Sequence, residues 1–280
     1  CVQNRSMYTE YQPSHLLVPY IDSYWEFKGN PDYGMRIHIL PDGCTDFIFT
    51  LGEVANAVEE GSLIMQPYRS YFVGPMTKYS ELVTYTESIH MFGVRFLPCG
   101  LSCFTNLPLH EFVNSRVSTN EMKAVFDDTF IEKLGEQKHV TDRIRVVEEY
   151  LLAYLARHYQ PADSHVAMAV NMINHSKGKR SVRSLMDDVC LCQRHFERKF
   201  KHYTGFTPKE YSRIVKFKNA VELLRTTTSA NLLTTAVDAG YYDLAHFSKE
   251  IKSMSGNTPA SFLSLTVPEE TTLTYIEPQR

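Results

Sequence analysis

Polar side chains recur at helical spacing near residue 195, where their chemistry suits contact with nucleic-acid bases. Gln193, Arg194, Glu197 and Arg198 would all face outward from one helix, because the residues between them include apolar ones at the complementary spacing. Arginine pairs with O6 and N7 of guanine, and glutamate can accept a hydrogen bond from N4 of cytosine. These four residues are therefore candidates for reading base edges.

A second segment repeats the first one after 51 positions. The equivalent pairs include His195 with His246, Phe196 with Phe247, Phe200 with Ile251, Gly205 with Gly256 and Pro208 with Pro259. A period near 50 residues indicates a supersecondary unit that occurs twice. The outward residues of the second copy are Leu244, Ala245, Ser248 and Lys249. These offer fewer hydrogen-bonding groups, so we expect them to contact the DNA backbone and thymine methyl groups more than to discriminate bases.

The elements around these residues have the order short helix, tight turn and basic amphipathic helix. Phe196 and Phe200 mark the buried side of the second helix, Gly205 supplies a left-handed residue at its end, and Pro208 begins the next helix. The same order recurs in the second copy. This arrangement is typical of a helix-turn-helix unit.

Charge is divided unevenly along the chain. Residues 164–265 contain 15 Lys and Arg against 8 Asp and Glu, a net charge of +7, whereas the whole chain carries −3 and its remainder therefore −10. A basic domain favours binding to phosphates through counterion release, although solvated charge is the alternative interpretation. The phosphate-contact candidates are Lys201, Lys209, Arg213, Lys216, Lys218 and Lys252.

A predicted helix from Pro208 to about Arg225 joins the two units. At 1.5 Å per residue it would be about 27 Å long. It could hold two recognition helices about one DNA turn apart, roughly 34 Å, so that one monomer occupies two successive major grooves.

The N-terminal half contains several short strand patterns. Residues 35–40 and 45–51 flank a Pro41-Asp42-Gly43 turn and predict a hairpin, and further strands are expected at 62–65, 71–73, 82–85 and 88–96. This pattern predicts a β-rich barrel or sandwich. A helix from about Asp142 to Tyr159 follows, and its apolar seam either packs on the β-domain or forms a dimer contact.

Residues from about 165 to 265 resemble the DNA-binding domain of AraC/XylS-type bacterial transcription regulators. The resemblance lies in 194–200, in the Thr-Gly-Phe-Thr-Pro-Lys-Glu-Tyr of 204–211, and in 240–249. Residues 8–130 resemble the sensory half of one subgroup of these regulators, through Trp25, the 40–44 turn and 93–97. The resemblance implies a regulator whose N-terminal half binds a ligand or a partner.

We therefore expect an α+β chain with a β-rich N-terminal sensory-type domain and an all-α DNA-binding domain of two helix-turn-helix units. The predicted boundaries are 7–135 for the β-rich domain, 136–160 for a helical connector, 161–166 for a linker, 167–265 for the DNA-binding domain with units at 180–205 and 231–256, and 266–280 for a tail. Met7 is interpreted as the natural start. Double-stranded DNA is the expected partner, with RNA polymerase, a small-molecule effector and a second copy as further candidates.

Two alternatives remain. The first is a regulator controlled by protein partners without a small ligand. The second is a metal-dependent β-barrel enzyme fused to a DNA-binding module, for which the candidate ligands are His38, Asp42, Cys44, Asp46 and His90, together with the Glu-x-x-His pairs Glu87–His90 and Glu136–His139. Neither His-x-His nor paired CxxC spacing occurs, so we expect no catalysis, metal or cofactor.

Cysteine usage and hydropathy favour a cytoplasmic protein. The six cysteines, at 1, 44, 99, 103, 190 and 192, form no zinc pattern. Cys99 and Cys103 are either a thiol sensor or two small buried apolar residues. No apolar run approaches the eighteen or so residues of a membrane span, and no secretory leader pattern is present.

Overall fold

A computed structural model describes residues 7–58, 62–122, 125–126, 128–189, 191–226, 232–264 and 274–276. Cys1 and Cys190 lie outside these residues, as does position 231, where the second unit was predicted to begin. Among the described residues, no helix combines the length and the apolar character that crossing a membrane requires.

The N-terminal half contains two antiparallel sheets. The six-stranded sheet has the order β1-β2-β8-β4-β6-β9, and the four-stranded sheet has the order β10-β3-β7-β5. The strands are β1 Tyr8–Tyr11, β2 Ile21–Gly29, β3 Met35–Ile39, β4 Thr45–Thr50, β5 Asn56–Ala57, β6 Ser70–Val73, β7 Ser80–Thr84, β8 Ile89–Phe96, β9 Arg116–Ser118 and β10 Thr274–Ile276. The predicted β-rich domain is thereby confirmed, and the segment predicted as a tail supplies the edge strand β10, which pairs with β3.

Both faces of the six-stranded sheet are covered. Trp25 and Phe27 of β2 pack toward the four-stranded sheet, against Ile37 and Leu82. Tyr24, the neighbour of Trp25, points to the opposite core. Because successive side chains of a strand point to opposite faces, burial on both sides replaces an alternating pattern by continuous apolar runs.

Two strand predictions are wrong. The strands that flank the Pro41-Asp42-Gly43 turn do not pair, because β3 pairs with β7 whereas β4 pairs with β6 and β8. The turn therefore crosses between sheets, and it is stabilised by the Asp42 carboxylate, which accepts from the Cys44 N–H at 2.8 Å. Residues 62–65 form no strand; there the Met65 N–H donates to Oδ1 of Asn56 at 2.7 Å instead of joining a ladder.

Helices α1 (Asp128–Gly135) and α2 (Val140–His158) cover the outer face of the six-stranded sheet. Val147 and Leu151 of α2 are completely buried there. Arg143 donates from Nη1 to Glu26 at 2.9 Å and from Nη2 to the Gln137 carbonyl at 2.6 Å, which fixes α2 to β2. The apolar seam of the connector helix thus packs on its own domain, the first of the two alternatives.

The C-terminal half is helical, as predicted. It consists of α3 Ser164–His175, α4 Val182–Val189, α5 Gln193–Thr204, α6 Pro208–Thr226, α7 Leu232–Asp238, α8 Leu244–Ser255 and α9 Pro259–Ser264. Helix α6 has 19 residues, a length of about 28 Å, and it is buried on several sides between the two units. The hydrophobic core of this half also includes Leu40 and Cys99 of the N-terminal half. The two halves therefore share one packed interface.

Candidate nucleic-acid interface

Helices α5 and α8 end in the same way. Thr204 donates from Oγ1 to the Phe200 carbonyl at 2.7 Å, and Ser255 donates from Oγ to the Ile251 carbonyl at 2.7 Å. The next residues, Gly205 and Gly256, have φ of 82° and 77°, the left-handed conformation that glycine adopts without a Cβ penalty. The sequence repeat is therefore also a repeat of local structure.

The eight base-reading candidates lie on the outer sides of these two helices. In α5, Gln193, Arg194 and Arg198 are exposed and Glu197 is half-buried. In α8, Leu244, Ala245 and Lys249 are exposed and Ser248 is half-buried. No candidate in either set is covered by the N-terminal half, so both outer faces could reach a groove.

Within α5, two of the candidates contact one another. The Gln193 side chain donates from Nε2 to Oε1 of Glu197 at 2.8 Å. The pair must open, or act as one unit, when it meets a base. Arg194 and Arg198 make no hydrogen bond with other described residues, and both residues are exposed.

A cleft of about 450 Å³ lies between the two units and is rich in cations. Of the predicted phosphate contacts, Lys209, Arg213 and Lys216 line this cleft. Lys179 and Arg180 line it as well and were missed, although the Lys177–Arg180 run ahead of α4 is a recognisable basic cluster. Only one acidic residue, Glu250, is among the lining residues. Such a concentration of positive charge attracts a phosphate backbone.

Four of the five cleft cations already have protein partners. Lys179 donates from Nζ to the Asp238 carbonyl at 2.7 Å, and Arg180 donates to the Asp188 carboxylate. Arg213 donates to both carboxylate oxygens of Glu250, at 2.8 and 3.1 Å, and joins α6 to α8. Lys216 donates to the Gly240 carbonyl at 3.2 Å and lies over the ring of Tyr241. Burial lowers the pKa of Lys216, with a smaller contribution from Lys179, while Glu250 acts in the opposite direction.

The other three phosphate candidates are dispersed. Lys201 and Lys252 are exposed in the last turns of α5 and α8. Lys218 faces the N-terminal half, where its Nζ donates to the Asp42 carbonyl at 3.3 Å. In this arrangement Lys218 serves the contact between the halves and does not point into the cationic cleft.

The N-terminal half contacts the ends of both recognition helices through one loop. A Cβ at Gly205 would lie 2.5 Å from Cγ of Pro75, and a Cβ at Gly256 would lie 2.7 Å from Cζ of Tyr79. Gly43, in the turn between the sheets, approaches the ring of Tyr211 on α6 equally closely. Both units and the helix that joins them therefore rest on the N-terminal half.

A buried charged cluster holds the 40–44 turn in place. The Arg95 guanidinium lies 3.4 Å from Asp42 and 3.2 Å from Asp46, and the Trp25 indole donates to Asp46 at 2.7 Å. Burial raises the pKa of Asp46, and the Arg95 charge counteracts this rise. Gly93 leaves room for the Trp25 ring, since a Cβ there would lie 1.9 Å from Cε2. The residues that carried the N-terminal resemblance thus meet in space.

The candidates for a metal-dependent enzyme do not converge. His38 stacks on Tyr79, His90 pairs with Glu26 at 2.9 Å, and Asp42 and Asp46 surround Arg95. Across the described residues, no group of three or more His, Cys, Asp or Glu is arranged to hold a metal ion. Burial raises the pKa values of the Cys99 and Cys103 thiols, which disfavours the thiolate form needed for redox reactivity.

Two matched helix-turn-helix units, a cationic cleft and outward polar faces define a DNA-binding protein. Residues 185–264 match the family described as a helix-turn-helix domain, and residues 9–118 match a domain of unknown function, DUF6597. The C-terminal half therefore carries a helix-turn-helix domain, a type of domain that binds DNA by placing its second helix in the major groove. No curated protein matches the chain.

Several solved structures are similar to this chain. ToxT from Vibrio cholerae is 10% identical, with a TM-score of 0.52 over 88% of this chain and 100% of that chain, and this likeness shows a shared fold. A probable AraC family transcriptional regulator from Rhodopseudomonas palustris is 20% identical over 36% of this chain and 96% of its own, with a TM-score of 0.33. The C-terminal domain of AraT, a response regulator from Geobacillus stearothermophilus, is 20% identical over 39% of this chain and 92% of its own, with a TM-score of 0.35.

Proposed function

We propose that the chain binds duplex DNA sequence-specifically by placing α5 and α8 in successive major grooves, with α5 as the more discriminating helix. The observation that carries this proposal is the pair of matched helices, each ended by a left-handed glycine and each presenting an exposed outer face. Arg194 and Arg198 of α5 can make bidentate contacts to guanine, whereas Leu244 and Ala245 of α8 suit thymine methyl groups.

The cleft between the units would receive the phosphate backbone that separates the two grooves. Lys179, Arg180, Lys209 and Lys216 surround this cleft, and α6 begins at its edge with Pro208. Contacts to phosphates fix the register of a protein on the duplex and carry no sequence information. Affinity should therefore depend strongly on salt, and specificity should depend on α5.

We further propose that the N-terminal half adjusts DNA binding through the Pro75–Tyr79 loop and the 40–44 turn. The loop contacts Gly205 and Gly256, and the turn contacts Tyr211. Any movement of this surface changes the support of both recognition helices at once. A small-molecule effector, RNA polymerase or a second copy of the chain are the candidate partners for such control.

Site selection from random duplex DNA, followed by hydroxyl-radical footprinting of the selected site, tests the binding mode. We expect each monomer to protect two unequal segments about one helical turn, roughly 34 Å, apart. Protection of only one segment per monomer would show that the second unit does not enter a groove. A folded protein without affinity for any duplex at low ionic strength would refute the proposed function itself.

Lys216 and Lys218 form a matched pair of residues for testing the electrostatic contribution of the cationic cleft to DNA affinity. Both are half-buried residues of α6, but Lys216 lines the cationic cleft and Lys218 faces Asp42. Lys216→Ala should weaken binding to all sequences alike and reduce the slope of log K against log salt by about one. Lys218→Ala should leave that slope unchanged. A smaller slope in the Lys218 variant instead would move the phosphate path to the other side of α6.

A further inference from the structure

A second cleft of about 450 Å³ lies where the two halves meet. One wall comes from the segments around Tyr20 and 97–103 of the N-terminal half, another from the linker at 159–162, and the third from α3. Cavities of about 300–1,000 Å³ at domain interfaces are the common location of small-molecule sites. In its position and size, this interdomain cleft qualifies as such a site.

The lining of the interdomain cleft contains no charged residue, since every residue that lines it is apolar, aromatic, amide or thiol in character. This separates it from the cationic cleft of the same volume, which five lysines and arginines line. A charged ligand would lose hydration in the interdomain cleft without meeting an opposite charge, which is costly. The lining therefore selects for an uncharged ligand.

The polar groups of the cleft can still make hydrogen bonds. Asn171 and Asn174 of α3 supply carboxamides, and Tyr20 and Tyr159 supply phenol groups. A carboxamide offers both donors and an acceptor, and a phenol can do either. Burial raises the pKa of the Tyr20 phenol, and the nearby Cys103 and Tyr159 add to this rise. Tyr20 therefore remains a neutral hydrogen-bond donor.

The remaining wall is apolar and partly aromatic. Leu97, Pro98 and Val170 line the cleft together with the two tyrosines. Aromatic rings stack on flat partners with centroids about 4.5–7 Å apart. A planar ring that carries amide or hydroxyl groups satisfies both kinds of wall.

We propose that this interdomain cleft binds a neutral, planar ring compound bearing carboxamide or hydroxyl groups. A ligand in this cleft would hold the linker and the N-terminal half against α3. The regulatory role of such a ligand rests on the proposed function. Helix α3 is in turn tied to the recognition helix α5, since the Asp163 carboxylate that caps α3 also accepts from Nζ of Lys199 at 2.6 Å. Asn174 adds a second link through the Tyr211 hydroxyl, which donates to its Oδ1 at 3.0 Å.

Matched pairs of compounds test the ligand class on the full chain without DNA. The neutral probes are benzamide, 4-hydroxybenzamide, nicotinamide and indole-3-carboxamide, and each is compared with its own carboxylate by isothermal titration calorimetry and thermal shift. At least one amide should bind, at least tenfold more tightly than its acid, and should raise the melting temperature by mass action. Failure of all four amides to bind, or equal binding of the acids, overturns the proposal.

Variants localise the binding. Ala167→Phe fills the cleft from α3 and should abolish binding of the amide, and Asn171→Asp, which adds only a charge, should weaken it at least tenfold. Asn120→Asp makes the same exchange at an exposed residue outside the cleft and should leave binding unchanged. An amide that still binds both cleft variants with unchanged affinity would place the site elsewhere. DNA affinity of the unliganded chain is measured separately, so a failure of the proposed function is distinguishable from a failure of this site.

Discussion

The two helix-turn-helix units keep the same skeleton but differ in nearly every outward residue. Phe196 and Phe247 are both completely buried, and the hydroxyls of Thr204 and Ser255 make equivalent bonds to the last turn. Outside the core, the arginine of α5 at position 194 is matched by Ala245 in α8. The buried positions keep their apolar character in both helices, whereas most of the outward positions differ in chemistry.

The N-terminal caps of the two recognition helices differ, as does the exposure of their C-terminal glycines. The N-cap residue of α8 is Asp243, whose carboxylate accepts from the His246 N–H at 2.7 Å, whereas the N-cap residue of α5 is Cys192, which makes no side-chain cap bond. At the other end, Gly205 is buried against Pro75, and Gly256 is exposed beside Tyr79. Unit 1 (α4 and α5) is thus fixed mainly by the N-terminal half, and unit 2 (α7 and α8) more by its own cap.

The largest effects should come from the shared core. Phe196→Ala and Phe247→Ala each remove a completely buried ring, and we expect each to lower the free energy of unfolding by about 3–5 kcal/mol. Urea unfolding of both variants, followed by circular dichroism, measures this. A cost below about 1 kcal/mol for one of them would mean that the two cores are not equivalent.

The outward faces should respond differently to the same exchange. Arg198 and Lys249 occupy equivalent positions in the repeat. Arg198→Ala should cost roughly 1 to 3 kcal/mol at one base pair and relax specificity there, whereas Lys249→Ala should weaken all sites alike. Competition binding against a set of single-base variants of the selected site distinguishes the two. Equal loss at every base in both variants would assign both residues to phosphates.

The difference between the N-caps can be tested by removing the cap of α8 and adding one to α5. Asp243→Ala should destabilise the protein by about 1 kcal/mol, because it leaves an N–H of α8 without its acceptor. Cys192→Ala should cost almost nothing, and Cys192→Asp should stabilise α5 through a new cap and a favourable interaction with the helix dipole. Thermal unfolding of the three variants tests the difference. If Cys192→Ala costs as much as Asp243→Ala, the comparison of the caps is incorrect.

The sequence predicted well those parts of the fold and of the candidate site that are determined by residues close together in the chain. The recognition helices were predictable because Phe196, Gly205 and Pro208 recur in register, and each acts within a few residues. The connector helix followed from its own periodicity. The basic cleft could have been predicted more completely from the Lys177–Arg180 run.

Features that depend on distant partners were not predictable in the same way. Whether the 40–44 turn forms a hairpin or a crossing between sheets depends on Asp42 meeting Arg95, far along the chain. The strand β10 exists through pairing with β3, which no local pattern indicates. Lys218 looked like the other cations, since α6 is buried on many sides and its periodicity does not reveal which face meets the N-terminal half.

The smallest expected effect concerns pH and belongs to unit 1 alone. His202 of α5 faces His110 and Glu111 of the N-terminal half, whereas the equivalent residue of α8 is the exposed Ser253. Burial and the neighbouring His110 lower the pKa of His202, and Glu111 only partly offsets this. Because the pKa of His202 is lowered only while α5 contacts the N-terminal half, His202 binds a proton more readily once this contact has opened. The closed contact should therefore lose stability as the pH falls below the ordinary histidine pKa of about 6.5 and remain unaffected above it.

His202→Gln should remove this pH dependence without changing stability at pH 8. Hydrogen exchange of the α5 C-terminus at pH 5.5 and pH 8 measures the effect. Protection that falls equally in the variant on acidification would assign the effect to another group.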